Sequence, residues 1–546
     1  MVREGYQVPA HPPASCRPLG HLLPFRAMSS AFTSADLAQL AARGIAAAEA
    51  ERQLQLLRQP PAPMALDRPC TVGDGIARIG TAEGGDLLKL HADAAERGRV
   101  SVFVPASGAA TRMFQHLITT RADAALTTPE ALDAAARAGN PAAKSTREFL
   151  AGLDRFAFFA ELKAAAERSG MPLRTLVRSG PLATILDALL ETPGLGYANL
   201  PKGLLAFHDY PDGPRTAFDE HLVEASQFAA DLEQRCRLHF TVSPEHRAGF
   251  DARLTAAGSQ ISLGVEFEVS FSEQKPSTDT LAIDSSGEPF RGADGGLLLR
   301  PAGHGALIAN LADLGGDLVL VKNIDNVAHD RFKRDTFTWS RLLLGLAARL
   351  ERTGAGHARR LAGAAEPQAV DQAIEFLAAA FLRGDAPPAT APPARRADWA
   401  RRQLARPIRV CGMVPNTGEP GGGPMWVRGA DGAVTPQIVE LSQVDSADPG
   451  QQAIVDRATH FNPVFMALAL RDTDDRPYGL AEFVYDDAAI VVKKSAGGRD
   501  LLALERPGLW NGAMSDWNTV FVEVPLSVFN PVKSVNDLLR KEHQPG

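Results

Sequence analysis

"DLVLVKNIDNVAHD" occupies residues 317–330, and the fold turns on how it is read. Leu318 to Val321 form an apolar run of the length and β-branched content of a buried strand. The chain then becomes abruptly polar at Lys322-Asn323-Ile324-Asp325-Asn326. One reading is a plain turn, because Asn and Asp are common turn residues. The other is a metal and phosphate site, because open α/β sheets bind ligands just beyond the carboxyl ends of their strands.

The neighbouring segments extend the pattern in both directions. "RVSVFVPASGAATRMFQHL" (99–117), "LHFTVSPEHRAGFDARL" (238–254) and "VEFEVSFSEQ" (265–274) begin as strands, and the first two continue through a loop into a helix. "GALIANLADLG" (305–315) is helical and feeds the opening strand. Strands alternating with helices predict an α/β fold with a mostly parallel sheet. Ser34–Gln59 is predicted to be helical with Ser34 as N-cap. Residues 118–198 and 337–383 also carry helical patterns, and strands return at 436–445, 463–470 and 519–526. The expected organisation is a disordered extension over 1–27, an N-terminal helical segment over 28–98 and a catalytic core over 99–383. A Pro/Ala linker over 384–399 and a strand-rich part over 400–546 complete it.

Composition narrows the class. The chain has 546 residues, 45% hydrophobic and 22% charged, with a net charge of −7, which are values of an ordinary globular protein of several domains. No basic stripe with interleaved aromatics points to nucleic acid. Four scattered cysteines without a CxxC pair argue against a zinc site or disulfide framework and fit a reducing cytoplasm. No apolar run is long enough to span a membrane. The oligomeric state is not readable.

Three further motifs carry chemistry. "VPASGAATRM" (104–113) joins a strand to a helix through small residues, so backbone N–H groups can approach a phosphate, with Thr111 and Arg112 beside its oxygens. It lacks a P-loop lysine and the GxGxxG of a dinucleotide fold, and a tight turn is the alternative. "NLPKGLLAFHDYPDGPRTAFDEHLVEA" (199–225) sets Lys202 on a rigid Pro-Lys step, which is elsewhere a common surface turn. "LLLRPAGHGALIANL" (297–311) places Gly303-His304-Gly305 in a loop that can lie flat against a base or sugar, or simply turn.

Taken together, these motifs resemble the UDP-sugar pyrophosphorylases, the uridylyltransferases of UDP-glucose and UDP-N-acetylhexosamines. That family carries, in order, a Gly-rich loop ending Gly-Thr-Arg, a Pro-Lys, a Gln strand end, a Gly-His-Gly or Gly-Asn-Gly loop and a strand ending Asn-x-Asp-Asn. Here the same order is Gly108 to Arg112, Pro201-Lys202, Gln274, Gly303-His304-Gly305 and Asn323 to Asn326. "VELSQVD", "HFNPVF" and "FNPVKSVNDLL" continue it and point to Glu440, Asn462 and Lys533. The whole chain also resembles a bacterial family catalogued as a domain of unknown function, number 4301.

The resemblance implies a nucleotidyltransferase fold, GT-A-like and Rossmann-like, with a helical insertion at 113–198 and a strand-rich C-terminal part. It implies transfer of a nucleoside monophosphate from a triphosphate, UTP by analogy, to a sugar 1-phosphate, with release of pyrophosphate. Such transfer relies on positioning and charge stabilisation. Asp325 would hold Mg²⁺, and Arg112, Lys202 and Lys533 would neutralise the phosphates. Ser107, Gly108, Ala109, Thr111, Gln274 and the 303–305 loop would bind nucleotide, and Asn323, Glu440 and Asn462 the sugar. Two departures stand out. Ser107 and Ala110 replace glycines, so a Cβ at Ala110 threatens close approach of a phosphate. The segment 113–198, read as a lid, separates the loop from Lys202. The alternatives are a non-catalytic nucleotide-sugar sensor and a nucleotidyltransferase acting on a non-sugar phosphate.

Overall fold

The computed structural model describes residues 31–260, 264–363, 366–418, 421–429 and 432–546. The extension expected to be disordered, 1–27, lies outside them.

Ten strands form the central sheet. In chain order they are β1 (Thr71–Val72), β2 (Gly75–Ala77), β3 (Val100–Pro105), β4 (Arg235–Thr241), β5 (Glu266–Ser272), β6 (Leu318–Lys322), β7 (Ile408–Pro415), β8 (His460–Phe461), β9 (Phe465–Ala469) and β10 (Asn518–Glu523). Their spatial order is β1-β2-β10-β7-β9-β6-β3-β4-β5, with β8 paired to the end of β7. β9 runs antiparallel to β6 and β7, and the other pairs along the path are parallel. This is the expected mostly parallel α/β sheet.

The unbroken apolar runs follow from burial on both faces. Val100, Val102 and Val104 of β3 and Leu318 and Leu320 of β6 enter one core, whereas Phe103, Val319 and Val321 enter the other. The period-2 alternation of a strand separates the two sets. The first core lies under the long helix Arg334–Arg360 and the helix Thr81–Glu96. The second includes Leu307 and Leu311, from the end of the His304–Leu307 turn and the helix that follows it.

Several local expectations change. The helix expected over Ser34–Gln59 is two helices, Ser34–Ala42 and Ala47–Arg58, separated where Gly44 takes a φ of 74°. Its N-cap is Thr33, in a capping box with Asp36, rather than Ser34. The segment 113–198 is helical, and its second and third helices start from Thr128-Pro129 and Asn140-Pro141, a capping side chain followed by Pro at the first helical position. It shares its core with the sheet. Phe114, Phe149, Phe158, Leu162 and Ile185 are buried in the same core as β3 and β6, and the rings of Phe149, Phe156, Phe158 and Tyr197 pack one against the next, tilted, stacked and edge-on in turn.

The Pro/Ala stretch 384–399 runs into a packed helix, Pro393–Leu404, which buries Trp399. The strands before and after it share one sheet. No helix among the described residues is long and apolar enough to cross a membrane.

Candidate phosphate-transfer site

The loops after β3, β5, β6 and β10 and the approach to β9 leave the same end of the sheet, because β9 enters where its neighbours exit. Four motifs meet there. Ala110 N donates to Leu200 O at 3.0 Å, Ala109 forms a β-bridge with Pro201, and the Thr111 hydroxyl donates to Ala198 O at 3.1 Å. The long insertion therefore does not part Lys202 from the small-residue loop; their backbones are bonded neighbours.

Lys202 Nζ donates to Asp325 Oδ2 at 2.7 Å and to Val532 O at 2.7 Å. Lys533 Nζ reaches the same Oδ2 at 3.4 Å. The backbone closes the corner, with Val532 N donating to Asp325 O at 3.0 Å and Asn326 bridged to Pro531.

Asn326 N donates to Asn323 O at 3.1 Å, which makes a turn, and that turn buries Asp325 between two ammonium groups. Burial alone would raise the Asp325 carboxyl, but Lys202, with Lys533, outweighs it and holds the group below its ordinary range. Lys202 is largely covered, with 14% of its side chain exposed against 54% for Lys533. Lys202 is thus fixed, and Lys533 keeps its amine at the solvent edge.

The loop itself is open. Gly108, Ala109, Thr111 and Arg112 are exposed and Ser107 is half-buried. A Cβ at Gly108 would meet nothing within 4 Å. Arg112 has no ion pair among the described residues. The feared methyl of Ala110 is fully buried in the core, turned away from the exposed face, so it does not obstruct a phosphate.

The base and sugar candidates are more committed. The Gln274 side chain follows β5, and its Nε2 is buried without a partner among the described residues. Gly303 has a φ of 75°, and a Cβ at Gly305 would lie 2.2 Å from Pro507 O, so both glycines are required by the chain's own path. His304 stacks on Trp510 at 3.9 Å. Its Nδ1 accepts from Leu509 N at 2.9 Å, which leaves the Nε2 proton facing Glu440 at 3.4 Å. Glu440 caps the short turn Leu441–Gln443. Asn462 is buried, and its Oδ1 accepts from Val464 N at 3.1 Å, where Val464 has a φ of 55°.

The structure brings Arg112's loop, Lys202, Asp325 and Lys533 together directly. Asn462 N donates to Gly422 O at 3.0 Å, and Gly422 faces the Glu440 side chain, which places Asn462 with the next pair. Glu440 and His304 form a second cluster.

Asn326 carries no assignment from the sequence motifs. It is buried, its Oδ1 accepts from Asn530 N at 2.8 Å, and its Nδ2 donates to Val528 O at 3.2 Å. It fastens the C-terminal segment to the site, and its signal was a second asparagine just past a strand end.

The groups at Asp325 can be tested against a divalent ion. No group of three or more His, Cys, Asp or Glu that could hold a metal occurs among the described residues. The corner offers one carboxylate. That suits a Mg²⁺ that keeps its waters and shares phosphate oxygens, not an ion caged by protein.

Comparison with known proteins follows the same outline. The DUF4301 family model, described as a domain of unknown function, matches residues 33–544. The chain belongs to the DUF4301 family. No curated protein matches it.

Among solved structures, this DUF4301 chain is similar to the uridine diphosphate N-acetylglucosamine pyrophosphorylase of Trypanosoma brucei, at 13% identity and TM-score 0.45, covering 94% of this chain and 78% of that one. The UDP-glucose pyrophosphorylase of Leishmania major gives 13% identity and TM-score 0.41 with the same coverages. A putative UDP-N-acetylglucosamine pyrophosphorylase of Entamoeba histolytica gives 10% and 0.42, covering 86% and 84%. At these scores the likenesses decide nothing about what this chain binds.

Proposed function

We propose that this protein transfers a nucleotidyl group, a uridylyl group from UTP, to a sugar 1-phosphate. The observation that carries the reading is the convergence of the small-residue loop, Lys202 and Lys533 on Asp325. Four distant segments build one corner of positive charge around a single carboxylate.

A sugar phosphate is already an anionic nucleophile. Its oxygen attacks the α-phosphorus, the bond to the bridging oxygen of the β-phosphate breaks, and pyrophosphate leaves with that electron pair. No protein nucleophile and no proton abstraction are required; two anions must be held in line. Arg112 and the exposed amides of 107–109 suit the triphosphate, Lys202 the α-phosphate and Lys533 the incoming phosphate. Mg²⁺ bound through Asp325 and phosphate oxygens would add charge neutralisation at the reacting phosphate. The unpaired Gln274 amide suits a base carbonyl, the 303–305 loop lines the nucleotide side, and Asn323, Glu440 and Asn462 border the sugar.

The departures at Ser107 and Ala110 motivate the sensor reading; the burial of Ala110 weakens the second of them. The test is pyrophosphate release from UTP, with other triphosphates as controls, against a panel of sugar 1-phosphates. Release with none of them, despite measurable nucleotide binding, would leave a binding protein instead.

A further inference from the structure

Lys533 lies in a segment with little regular structure of its own. After β10 the described chain has short 3-10 turns at Leu526–Val528, Val535–Leu539 and Lys541–His543 and no strand. No ladder fixes Lys533; its segment is held by a local turn, with Lys533 N donating to Asp537 Oδ2 at 2.8 Å, by Val535 N donating to Met113 O at 3.1 Å, and by ties at its two ends. The near end is held by Asn326 and Asp325, as described above. The far end enters a buried charged cluster that the proposed reaction does not use.

That cluster is built on the helix Ala217–Ser226, buried from Ala217 to Ala225. Its Glu220 receives the Lys333 ammonium, Nδ1 of His208 at 2.7 Å and the Tyr210 hydroxyl at 2.9 Å. Nε2 of His208 lies 2.8 Å from Nδ1 of His543, with the two rings stacked at 5.2 Å. His329 N donates to Glu542 O at 2.8 Å beside it.

His208 Nδ1–H faces Glu220, and its Nε2 shares one hydrogen with Nδ1 of His543. Burial would raise the Glu220 carboxyl, but the charges of Lys333 and His208 hold it low. Burial, then the charge of His208, keeps His543 neutral well below its ordinary value. The same helix also supports the Asp325 turn: Glu224 pairs with Lys322 at 2.5 Å, and His221 Nε2 meets Ile324 O at 3.3 Å. Buried ion pairs seldom stabilise more than apolar packing would, so a geometric role accounts for them better.

We propose that His543 is a positioning residue: through His208 and Glu220 it anchors the C-terminal segment and so sets where Lys533 stands at Asp325. What Lys533 does there rests on the proposed reaction; where it stands does not. The test therefore has two arms.

In the first, amide exchange in the full chain carrying His543→Ala should accelerate at least about tenfold at Val532 and Val535, with the β6 amides unchanged. In the second, His543→Ala should raise KM for the sugar phosphate about tenfold while leaving UTP binding intact. It should add nothing in a Lys533→Ala background, and His543→Gln, whose amide can donate to or accept from His208 Nε2, should recover part of the loss. Unchanged exchange at Val532 and Val535, or losses from His543→Ala and Lys533→Ala that simply multiply, overturn the proposal. If His543→Ala does not fold, His543→Gln in the same exchange experiment decides. Absence of turnover in the wild type defeats the transfer reading alone, and the exchange arm still decides this one.

Discussion

The Asp325 corner and the His304–Glu440–Asn462 rim lie on the same protein and are built on opposite principles. At the corner, side chains from three distant segments point at one another. A buried carboxylate answers two ammonium groups. At the rim, each polar side chain is already engaged in holding the chain. His304 accepts from Leu509 N and stacks on Trp510, Glu440 caps a turn, and Asn462 supports Val464 in a left-handed conformation. The contrast teaches that, under the proposed reaction, phosphate handling would be concentrated in charge, while sugar selection would come from atoms left over by structural duties.

Asp325→Asn tests the corner hardest. It leaves Lys202 without its counter-charge in a mostly covered position, so turnover should fall by more than about 10³ and stability by about 3 kcal/mol. Steady-state kinetics and urea denaturation measure both. A near-normal kcat at limiting Mg²⁺ would erase the distinction between the two regions.

Arg112→Ala should lower kcat by about 10²–10³, the scale of one lost charge-stabilising donor, with no change in melting temperature because the side chain is exposed. Unchanged kinetics would reduce the 107–112 loop to a turn.

His221 probes the layer under the corner. Burial pushes its imidazole down to about 4 from 6.5. Because the folded value is depressed, the unfolded chain binds the extra proton first, so stability is full above 6.5 and falls as pH drops toward 4. The loss is at most about 1.4 kcal/mol per unit. Melting curves from pH 7 to 4.5 should show a slope that His221→Gln flattens; an equal slope in both proteins would place the pH dependence elsewhere.

Asn462→Ala should have the smallest effect on chemistry. It orphans the Val464 N–H and should cost about 1–2 kcal/mol, with nucleotide affinity unchanged. A change in sugar preference larger than the stability loss would move Asn462 from scaffold to selector and sharpen the rim's role.

The sheet was legible because its signal is local. Leu318–Val321, Val100–Val104 and Phe465–Ala469 are apolar runs, and burial on both faces is written in them directly. Legibility fell where meaning depended on partners far along the chain. The 113–198 helices read correctly as helices, but their place in the core of β3 and β6 did not show, because shared burial leaves no mark on their periodicity. Ala110 read as an obstruction, because the direction of a Cβ is set by the turn that carries it. Asn326 had no role until Asn530 arrived beside it.

The sequence by itself determined the elements, the parallel sheet and the residue types available for phosphate chemistry, since periodicity, β-branching and polar breaks act over a few residues. Only the tertiary structure decided that Lys202 and Lys533 share one oxygen of Asp325, that the loop faces them, and that His543 holds the tail. Those facts depend on distances between segments hundreds of residues apart, which the packing of two cores fixes and no local pattern encodes.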